Sequence, residues 1–77
     1  MSKLPVISAK ELIKVLLKIG FLKISQSGSH IKLRRVVGSK IQTVIVPNHK
    51  ILKSGTLRNG ILKAIDLTVD ELVMLRK

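Results

Sequence analysis

A histidine and two cations alternate with apolar residues in one short stretch of this 77-residue chain. His30, Lys32 and Arg34 occupy every second position, and Ile31 and Leu33 fill the positions between them. Alternate side chains of a β-strand project from opposite faces. The pattern therefore predicts a strand that carries His30, Lys32 and Arg34 on one face and the two apolar residues on the other.

This arrangement of side chains would suit chemistry on a phosphodiester. Neighbouring positive charges disfavour protonation of an imidazole, so we expect His30 to be neutral at pH 7 and able to accept a proton. In RNA, the proton to remove is that of the 2′-hydroxyl, whose oxygen then attacks the adjacent phosphorus. The cations would stabilise the charge that builds on the phosphoryl oxygens, and this route needs no metal. The alternative interpretation is a histidine that only binds phosphate or caps a strand.

The second histidine, His49, follows the third predicted strand. If the strands form a meander, the end of the third strand lies near the start of the second. His49 could then reach His30 and supply a general acid or a phosphate contact. A solvated histidine in a loop is equally consistent with the sequence. Two histidines this far apart, with few carboxylates, make a poor zinc site.

The remaining residue types offer no other catalytic pattern. We find no Gly-rich nucleotide-binding loop and no nucleophile elbow. Ser29 adjoins His30, but neighbouring residues on a strand point to opposite faces, so we expect a turn or hydrogen-bonding role for it. The carboxylates make no plausible acid–base pair or magnesium site. They fall at predicted helix ends: Glu11, Asp66, Asp70 and Glu71.

The charge balance favours a polyanionic partner. Fifteen Lys and Arg against four Asp and Glu give a net charge of +11, which attracts nucleic acid first and an acidic protein next. A small basic protein with no such partner is the plainer alternative. Phe21 is the single aromatic residue, so bases cannot be held by aromatic stacking, and a membrane-surface role is weakly supported. We therefore expect contacts to phosphate and sugar.

Length and composition predict one domain over residues 1–77. The hydrophobic fraction of 45% is enough for a modest core, and the absence of cysteine excludes disulfides and thiolate metal sites. Apolar runs are far shorter than a bilayer span, and the N-terminal residues lack the pattern of a signal peptide. These features suit a reducing cytosol, so we expect a cytoplasmic protein with no membrane and no cofactor.

The first predicted helix begins at a capping box, in which Ser8 and Glu11 satisfy backbone donors for each other. It ends at Gly20, the usual position for a left-handed cap. Helical spacing predicts that one face of this helix is buried. The residues on that face are Leu12, Ile13, Leu16, Leu17 and Ile19.

Three strands are predicted over residues 21–25, 29–36 and 41–46, with Leu22 and Ile24 on one face of the first. Turns are expected at residues 26–28 and at Gly38-Ser39, and Pro47 ends the third strand because it lacks a donor for the ladder. Loops this short imply an antiparallel meander.

A second helix is predicted to begin near residues 54–56 and to bury Leu57, Ile61, Leu62 and Ile65. Gly60 lies inside it, at a cost of about 1 kcal/mol relative to alanine that the sequence does not explain. Thr68 and Glu71 form a capping box that opens a short C-terminal helix through Leu75. The fold class is therefore α+β, with the order α-β-β-β-α, a three-stranded antiparallel sheet and helices on one face.

Four segments, in this order, resemble the HicA family of toxins, also described as YcfA-like proteins. HicA toxins are small messenger-RNA interferases of bacterial and archaeal toxin–antitoxin systems. The resemblance covers nearly the whole chain. The segments are Gly28-Ser29-His30, Val46-Pro47-Asn48-His49, Lys53-Ser54-Gly55-Thr56-Leu57-Arg58 and Leu67-Thr68-Val69-Asp70-Glu71-Leu72.

The resemblance implies a fold similar to the double-stranded RNA-binding domain, and ribonuclease activity centred on His30 with no known metal requirement. It also implies an antitoxin of the HicB type that binds the toxin and masks its active surface. The chain departs from the family pattern in one place. Residues 56–67 are about one residue longer than the pattern, and Ile65-Asp66 stands where an Ala-Gly pair is common.

The start of the second helix, at Thr56, is a further candidate phosphate site, because its free backbone donors and dipole attract anions and basic residues flank it. Solvated lysines at an ordinary helix start are the alternative. In double-stranded RNA-binding domains, the corresponding helix start contacts the RNA backbone, and the resemblance therefore favours the phosphate site. The basic residues are Lys50, Lys53 and Arg58.

These observations predict a metal-independent endoribonuclease toxin that cleaves messenger RNA, with His30 as the general base and Gly28 as a tight turn close to the substrate. One alternative is a non-catalytic RNA- or DNA-binding module of the same fold. Another is a protein whose charge serves mainly to bind an acidic antitoxin. The predicted substrate-binding residues are Gly28, Ser29, Lys32, Arg34, His49, Lys53 and Arg58.

Overall fold

The computed structural model describes residues 4–76, and its elements follow the order α-β-β-β-α. A middle helix consists of a π-helical segment and a 3₁₀ turn, and an eight-residue α-helix follows it. The α+β fold class and the order of elements are confirmed. The elements are α1 (Ala9–Lys18), β1 (Leu22–Ser27), β2 (His30–Val37), β3 (Lys40–Pro47), the middle helix (Thr56–Leu62 and Lys63–Ile65) and α2 (Val69–Arg76).

The three strands form an antiparallel sheet in the order β1-β2-β3, as predicted. Ile31 and Leu33 of β2 lie opposite Val46 and Val44 of β3, and all four side chains are buried. They form one core with the buried residues of the helices. The helices therefore cover one face of the sheet. The other, which we call the outward face, is open and carries His30, Lys32 and Arg34 on β2.

Strand β1 differs from the prediction because a β-bulge interrupts it between Lys23 and Ser25. Leu22 and Ser25 pair with Arg34 and Lys32 of the outward face, so the regular alternation assumed for Leu22 and Ile24 is wrong. The strand also runs on to Ser27, and the turn to β2 is formed by Gly28 and Ser29 instead of residues 26–28. A bulge adds one residue to one strand of a pair and bends that strand locally.

Helix α1 begins and ends as predicted, but one residue of its predicted inner face is exposed. Gly20 follows the helix with a φ of +100°, a conformation that glycine adopts readily. Leu17 is 48% exposed, whereas Val15 is buried. The prediction for Leu17 was wrong because only part of the helix circumference contacts the sheet. The buried face is narrower and consists of Ala9, Leu12, Val15 and Leu16.

Arg35 points into the protein from β2 and seals the end of the core near Gly20. Its guanidinium lies 4.7 Å from the ring centroid of Phe21, which is fully buried. One terminal nitrogen donates to the Ile19 carbonyl at 2.9 Å, and Nε donates to Oε1 of Gln42 at 2.9 Å. These partners offset the free-energy cost of removing the guanidinium from water. Without them, a cation at an inward position of the sheet would be destabilising.

The middle helix buries the four apolar side chains that were predicted, but over Thr56–Leu62 its winding is π-helical. A π turn bonds residue i to residue i+5, one residue further than an α turn. This wider winding accommodates one additional residue. It lies in the stretch, residues 56–67, that is about one residue longer than the family pattern. Gly60 lies inside the π segment, and a Cβ added at this position would meet no neighbouring atom within 4 Å.

Asp66 ends the 3₁₀ turn in the left-handed region, with φ 55° and ψ 34°. It is the one non-glycine residue between 4 and 76 with a positive φ, and it stands where the family pattern favours glycine.

We predict that Asp66→Gly raises the free energy of unfolding by about 0.5–1 kcal/mol, because glycine adopts this conformation without strain and the helix end loses an unfavourable negative charge. Asp66→Ala is the control, since it removes the charge but keeps Cβ. Urea unfolding should rank Gly above Ala, and the reverse order would contradict the assignment of strain.

Two capping boxes begin the α-helices, as predicted. Ser8 Oγ accepts from the Glu11 N–H at 3.1 Å, and Thr68 Oγ1 accepts from the Glu71 N–H at 3.1 Å. The second carboxylate oxygen of Glu11 lies 3.3 Å from Arg76 Nε. This ion pair joins the first turn of α1 to the end of α2.

Stability should depend on pH through Glu11. The hydrogen bond from the Ser8 backbone, and then the charge of Arg76, hold the pKa of Glu11 below its usual 4.5. A carboxyl whose pKa is lower in the folded than in the unfolded chain stabilises the fold above pH 4.5, and this contribution is lost as the pH falls through the folded-state value. We therefore expect Glu11→Gln to destabilise the protein at pH 7 and to have a smaller effect at pH 3. Equal effects at both pH values in urea unfolding would contradict the prediction.

Candidate active site

The turn between β1 and β2 positions the predicted catalytic histidine. Gly28 has a φ of +59°, which a tight turn of this kind requires and which glycine adopts without strain. Its carbonyl accepts a hydrogen bond from Gln26 Nε2 at 3.2 Å. Ser29 completes the turn, and His30 is the first residue of β2. Both Gly28 and Ser29 are exposed, so the turn leaves His30 open to solvent on one side.

His30 lies on the outward face at one end of the sheet and is exposed. Its cross-strand neighbours are Ser27 at the end of β1 and Pro47 at the end of β3. The predicted approach of the end of β3 to the start of β2 is therefore confirmed. Ser27 and Pro47 carry no charge, so the nearest fixed charges on this face come from β2 itself.

Lys32 and Arg34 follow His30 on the same face. Lys32 is half-buried between its neighbours Ser25 and Ile45, and Arg34 is exposed. At the rise of a β-strand, Lys32 lies about 7 Å from His30 along the backbone and Arg34 about 13 Å. A phosphate at His30 is therefore within reach of the Lys32 side chain, whereas Arg34 is placed to contact a different phosphate.

The segment after β3 folds back towards helix α1. Asn48 N–H donates to the Ser29 carbonyl at 2.6 Å, and His49 N–H donates to the Pro47 carbonyl at 2.8 Å. The His49 carbonyl accepts from Ala9 N–H at 3.0 Å. His49 is thereby fixed between the β1–β2 turn and the start of α1.

His49 lines a groove of about 460 Å³, which we call the α1 groove. His30 is not among the residues that line it. The two histidines thus belong to neighbouring surfaces, and the predicted pairing of His49 with His30 stays a prediction. The lining residues are Ser8, Lys10, Asn48, His49 and Lys50.

Lys53 and Arg58 flank the start of the middle helix and are exposed. The Lys53 carbonyl accepts from Leu57 N–H at 2.9 Å, and no side chain caps the start of the π segment. Leu52 N–H donates to the Ile7 carbonyl at 2.9 Å, which ties this helix start to the residues before α1. The role of Lys53 and Arg58 in phosphate binding stays a prediction.

The charged side chains of the sheet and of the segment after β3 are all basic. Residues 12–65 contain no Asp or Glu, so the sheet, its turns and the segment after β3 carry cations without any carboxylate. Between residues 4 and 76, no group of three or more His, Cys, Asp or Glu side chains could hold a metal ion. A surface with this charge favours a polyanion, and it carries the exposed side chain of His30.

Sequence reasoning missed three features of these surfaces. Lys10 was not among the predicted binding residues, and its place in the α1 groove depends on packing against residues 48–50. Arg35 was not given a role. The outward face also exposes apolar side chains beside its cations, namely Leu22, Val36, Ile41 and Ile45. For Arg35 a signal was present, since the alternation from His30 places it on the inward face.

Within residues 4–76, the helices are all too short or too polar to cross a bilayer. The comparison with curated proteins and the comparison with solved structures each found no significant match. The comparison with protein families did find one: residues 9–67 match the model of the HicA toxin of bacterial toxin–antitoxin systems. The matched range includes the sheet, the β1–β2 turn and the middle helix. The chain therefore belongs to the HicA toxin family.

Proposed function

We propose that this toxin is an endoribonuclease that cleaves messenger RNA with His30 as its general base. The single observation that carries the proposal is the exposed imidazole of His30 on the same face as Lys32. The strands and turns of the sheet contain no carboxylate that would repel RNA. Cleavage beside a 2′-hydroxyl needs an imidazole that can accept a proton and a cation that stabilises the phosphoryl oxygens.

In the proposed reaction, one ring nitrogen of His30 takes the proton of a ribose 2′-hydroxyl. The 2′-oxygen then forms a bond to the adjacent phosphorus, and the bond from phosphorus to the 5′-oxygen of the next nucleotide breaks. That 5′-oxygen takes up a proton from a general acid or from water. The products are a 2′,3′-cyclic phosphate and a 5′-hydroxyl end. The ammonium of Lys32 stabilises the charge on the phosphoryl oxygens.

The other predicted residues would hold the RNA strand. Gly28 and Ser29 keep the turn beside His30 small and offer backbone groups, and Arg34 binds a phosphate further along the outward face. The basic residues around the start of the middle helix bind another part of the backbone. These are Lys53 and Arg58, with His49 in the neighbouring α1 groove.

We further propose that an acidic antitoxin of the HicB type neutralises the toxin in the cytoplasm, and that residues 1–77 act as one domain. Membership of a toxin–antitoxin family supports the antitoxin. The mixed character of the outward face supports it as well, because exposed apolar side chains beside cations suit a protein partner with apolar and acidic residues.

The proposal can be tested with purified toxin and two RNA oligonucleotides that differ by one atom. One is ordinary RNA, and the other has a 2′-deoxy nucleotide at the cleaved position. We expect cleavage of the first alone, with a cyclic phosphate end that mass spectrometry detects. Binding of both RNAs without cleavage of either would favour the non-catalytic binding module. Cleavage of the deoxy substrate at the same position would contradict the 2′-hydroxyl mechanism.

A further inference from the structure

The α1 groove differs from the outward face in position and in lining. It lies where the first turn of α1 meets the segment after β3, and its volume of about 460 Å³ is within the range of ligand-binding clefts. Its charged or titratable side chains are Lys10, His49 and Lys50, all exposed. Asn48 and Ser8 add polar groups. We infer that this groove is a second RNA-binding subsite, which holds a backbone phosphate of the strand that His30 cleaves.

The first support is the charge of the groove. Lys10 and Lys50 approach it from two separate segments, and no carboxylate lines it. The acid nearest to it in sequence is Glu11, whose oxygens accept from Ser8 and pair with Arg76 at 3.3 Å. The negative charge of Glu11 is therefore partly neutralised, and the net field in the groove favours an anion.

The second support is that the side chains, not the helix start, would bind the ligand. Two of the donors at the start of α1 are already used, since Ala9 N–H donates to the His49 carbonyl at 3.0 Å and Glu11 N–H donates to Ser8 Oγ at 3.1 Å. The ammonium groups of Lys10 and Lys50 have no carboxylate partner in the groove. A phosphate would be held by these two groups and by the polar side chains of Asn48 and His49.

The third support is the link to the proposed catalytic histidine. Asn48 donates its backbone N–H to the carbonyl of Ser29, the residue before His30, at 2.6 Å. Pro47, just before Asn48, lies opposite His30 in the sheet. An RNA strand that is bound at His30 and continues past the end of β3 would reach the α1 groove within a few nucleotides. The subsite therefore deepens the proposed function and rests on it.

Affinity for RNA that cannot be cleaved tests the inference separately from catalysis. The probe is a fluorescent single-stranded 2′-O-methyl RNA, in which the nucleophilic hydroxyl is blocked. The full chain carries either Lys10→Ala with Lys50→Ala, or the control pair Lys14→Ala with Lys40→Ala. Lys14 and Lys40 are exposed and outside the groove, so both pairs lower the net charge by the same amount.

We expect the groove pair to weaken RNA binding about tenfold at low salt and the control pair less than about threefold. The slope of log affinity against log salt should fall in magnitude by about 1.4 in the groove pair, about 0.7 for each lost phosphate contact on a single strand. Equal losses in both pairs would overturn the subsite. Unchanged RNA affinity with weakened binding of a polyglutamate peptide would also overturn it, because the groove would then serve an acidic protein.

The result can be read even if the proposed nuclease activity fails, because the probe is never cleaved. Circular dichroism melts show whether each variant folds, and Lys10→Gln with Lys50→Gln replaces the alanine pair if it does not. If the wild-type protein does not cleave RNA but the groove pair still weakens RNA binding, the nuclease proposal is rejected and the subsite is retained. Normal cleavage with no groove effect would do the opposite.

Discussion

Replacing His30 by alanine should lower the rate of RNA cleavage by about 10²–10⁴-fold, the contribution that a positioned general base makes. The variant should also lose the growth arrest that expression of the toxin causes. His30 is exposed on the outward face, and its neighbours Ser27 and Pro47 belong to the other two strands. Removal of this side chain leaves the core intact, so the free energy of unfolding and the affinity for 2′-O-methyl RNA should change little.

Rates are measured at saturating RNA, which separates the chemical step from binding. Lys32→Ala is the comparison, because loss of that cation should weaken both RNA binding and the rate, whereas His30→Ala should affect the rate almost alone. His30→Gln keeps a polar side chain of similar length but cannot act as a base at neutral pH, so it should be as inactive as alanine. A glutamine variant with nearly normal cleavage would show that His30 only contacts phosphate.

The alternating pattern from His30 to Leu33 predicted both faces of β2, because period-two patterning is a direct consequence of strand geometry. Carried one pair further, the same pattern places Arg35 on the inward face, where a cation is costly. The sequence could not show its partners, since Gln42 and Ile19 come from other elements. Such a conflict between pattern and residue type indicates a specific side-chain interaction on the inward face.

The bulge in β1 and the π winding of the middle helix could not be predicted for a different reason. No glycine or proline marks the bulge between Lys23 and Ser25, and Gly60 only weakens a helix without selecting its winding. The π winding fits the apolar residues of the middle helix to the core, whereas every residue of β1 is exposed and core packing does not explain its bulge. Local propensity carries no information about that fit.

Only the part of the candidate site that depends on local geometry could be predicted from the sequence. His30, Lys32 and Arg34 lie on one strand, so their common face follows from local geometry. The α1 groove instead joins residues 8–10 to residues 48–50, and backbone hydrogen bonds across about forty positions create it. A lysine on the polar side of an amphipathic helix gives no sign of what packs beside it.

Phe21→Ala should be the most destabilising single substitution in the chain, with a loss of about 3–5 kcal/mol in the free energy of unfolding. Phe21 is fully buried and is the one aromatic residue of the sequence. The loss includes the apolar transfer term, the cavity left by the ring, and the contact with the Arg35 guanidinium 4.7 Å from the ring centroid. Since native proteins are stable by only about 5–15 kcal/mol, this loss removes a large fraction of the total stability.

Phe21→Leu is the matched control, because it keeps most of the side-chain volume but removes the π face. It should cost clearly less than alanine, and a double-mutant cycle with Arg35→Ala should give a coupling of about 0.5–1 kcal/mol for the cation–π contact. Phe21→Leu should also leave RNA affinity unchanged, since a ring with no exposed surface cannot stack on a base. Equal stability of the leucine and alanine variants would mean that the ring does not fill the core as described. A loss of RNA affinity in the folded leucine variant would mean that the ring reaches the RNA, and binding by charge and shape alone would then have to be abandoned.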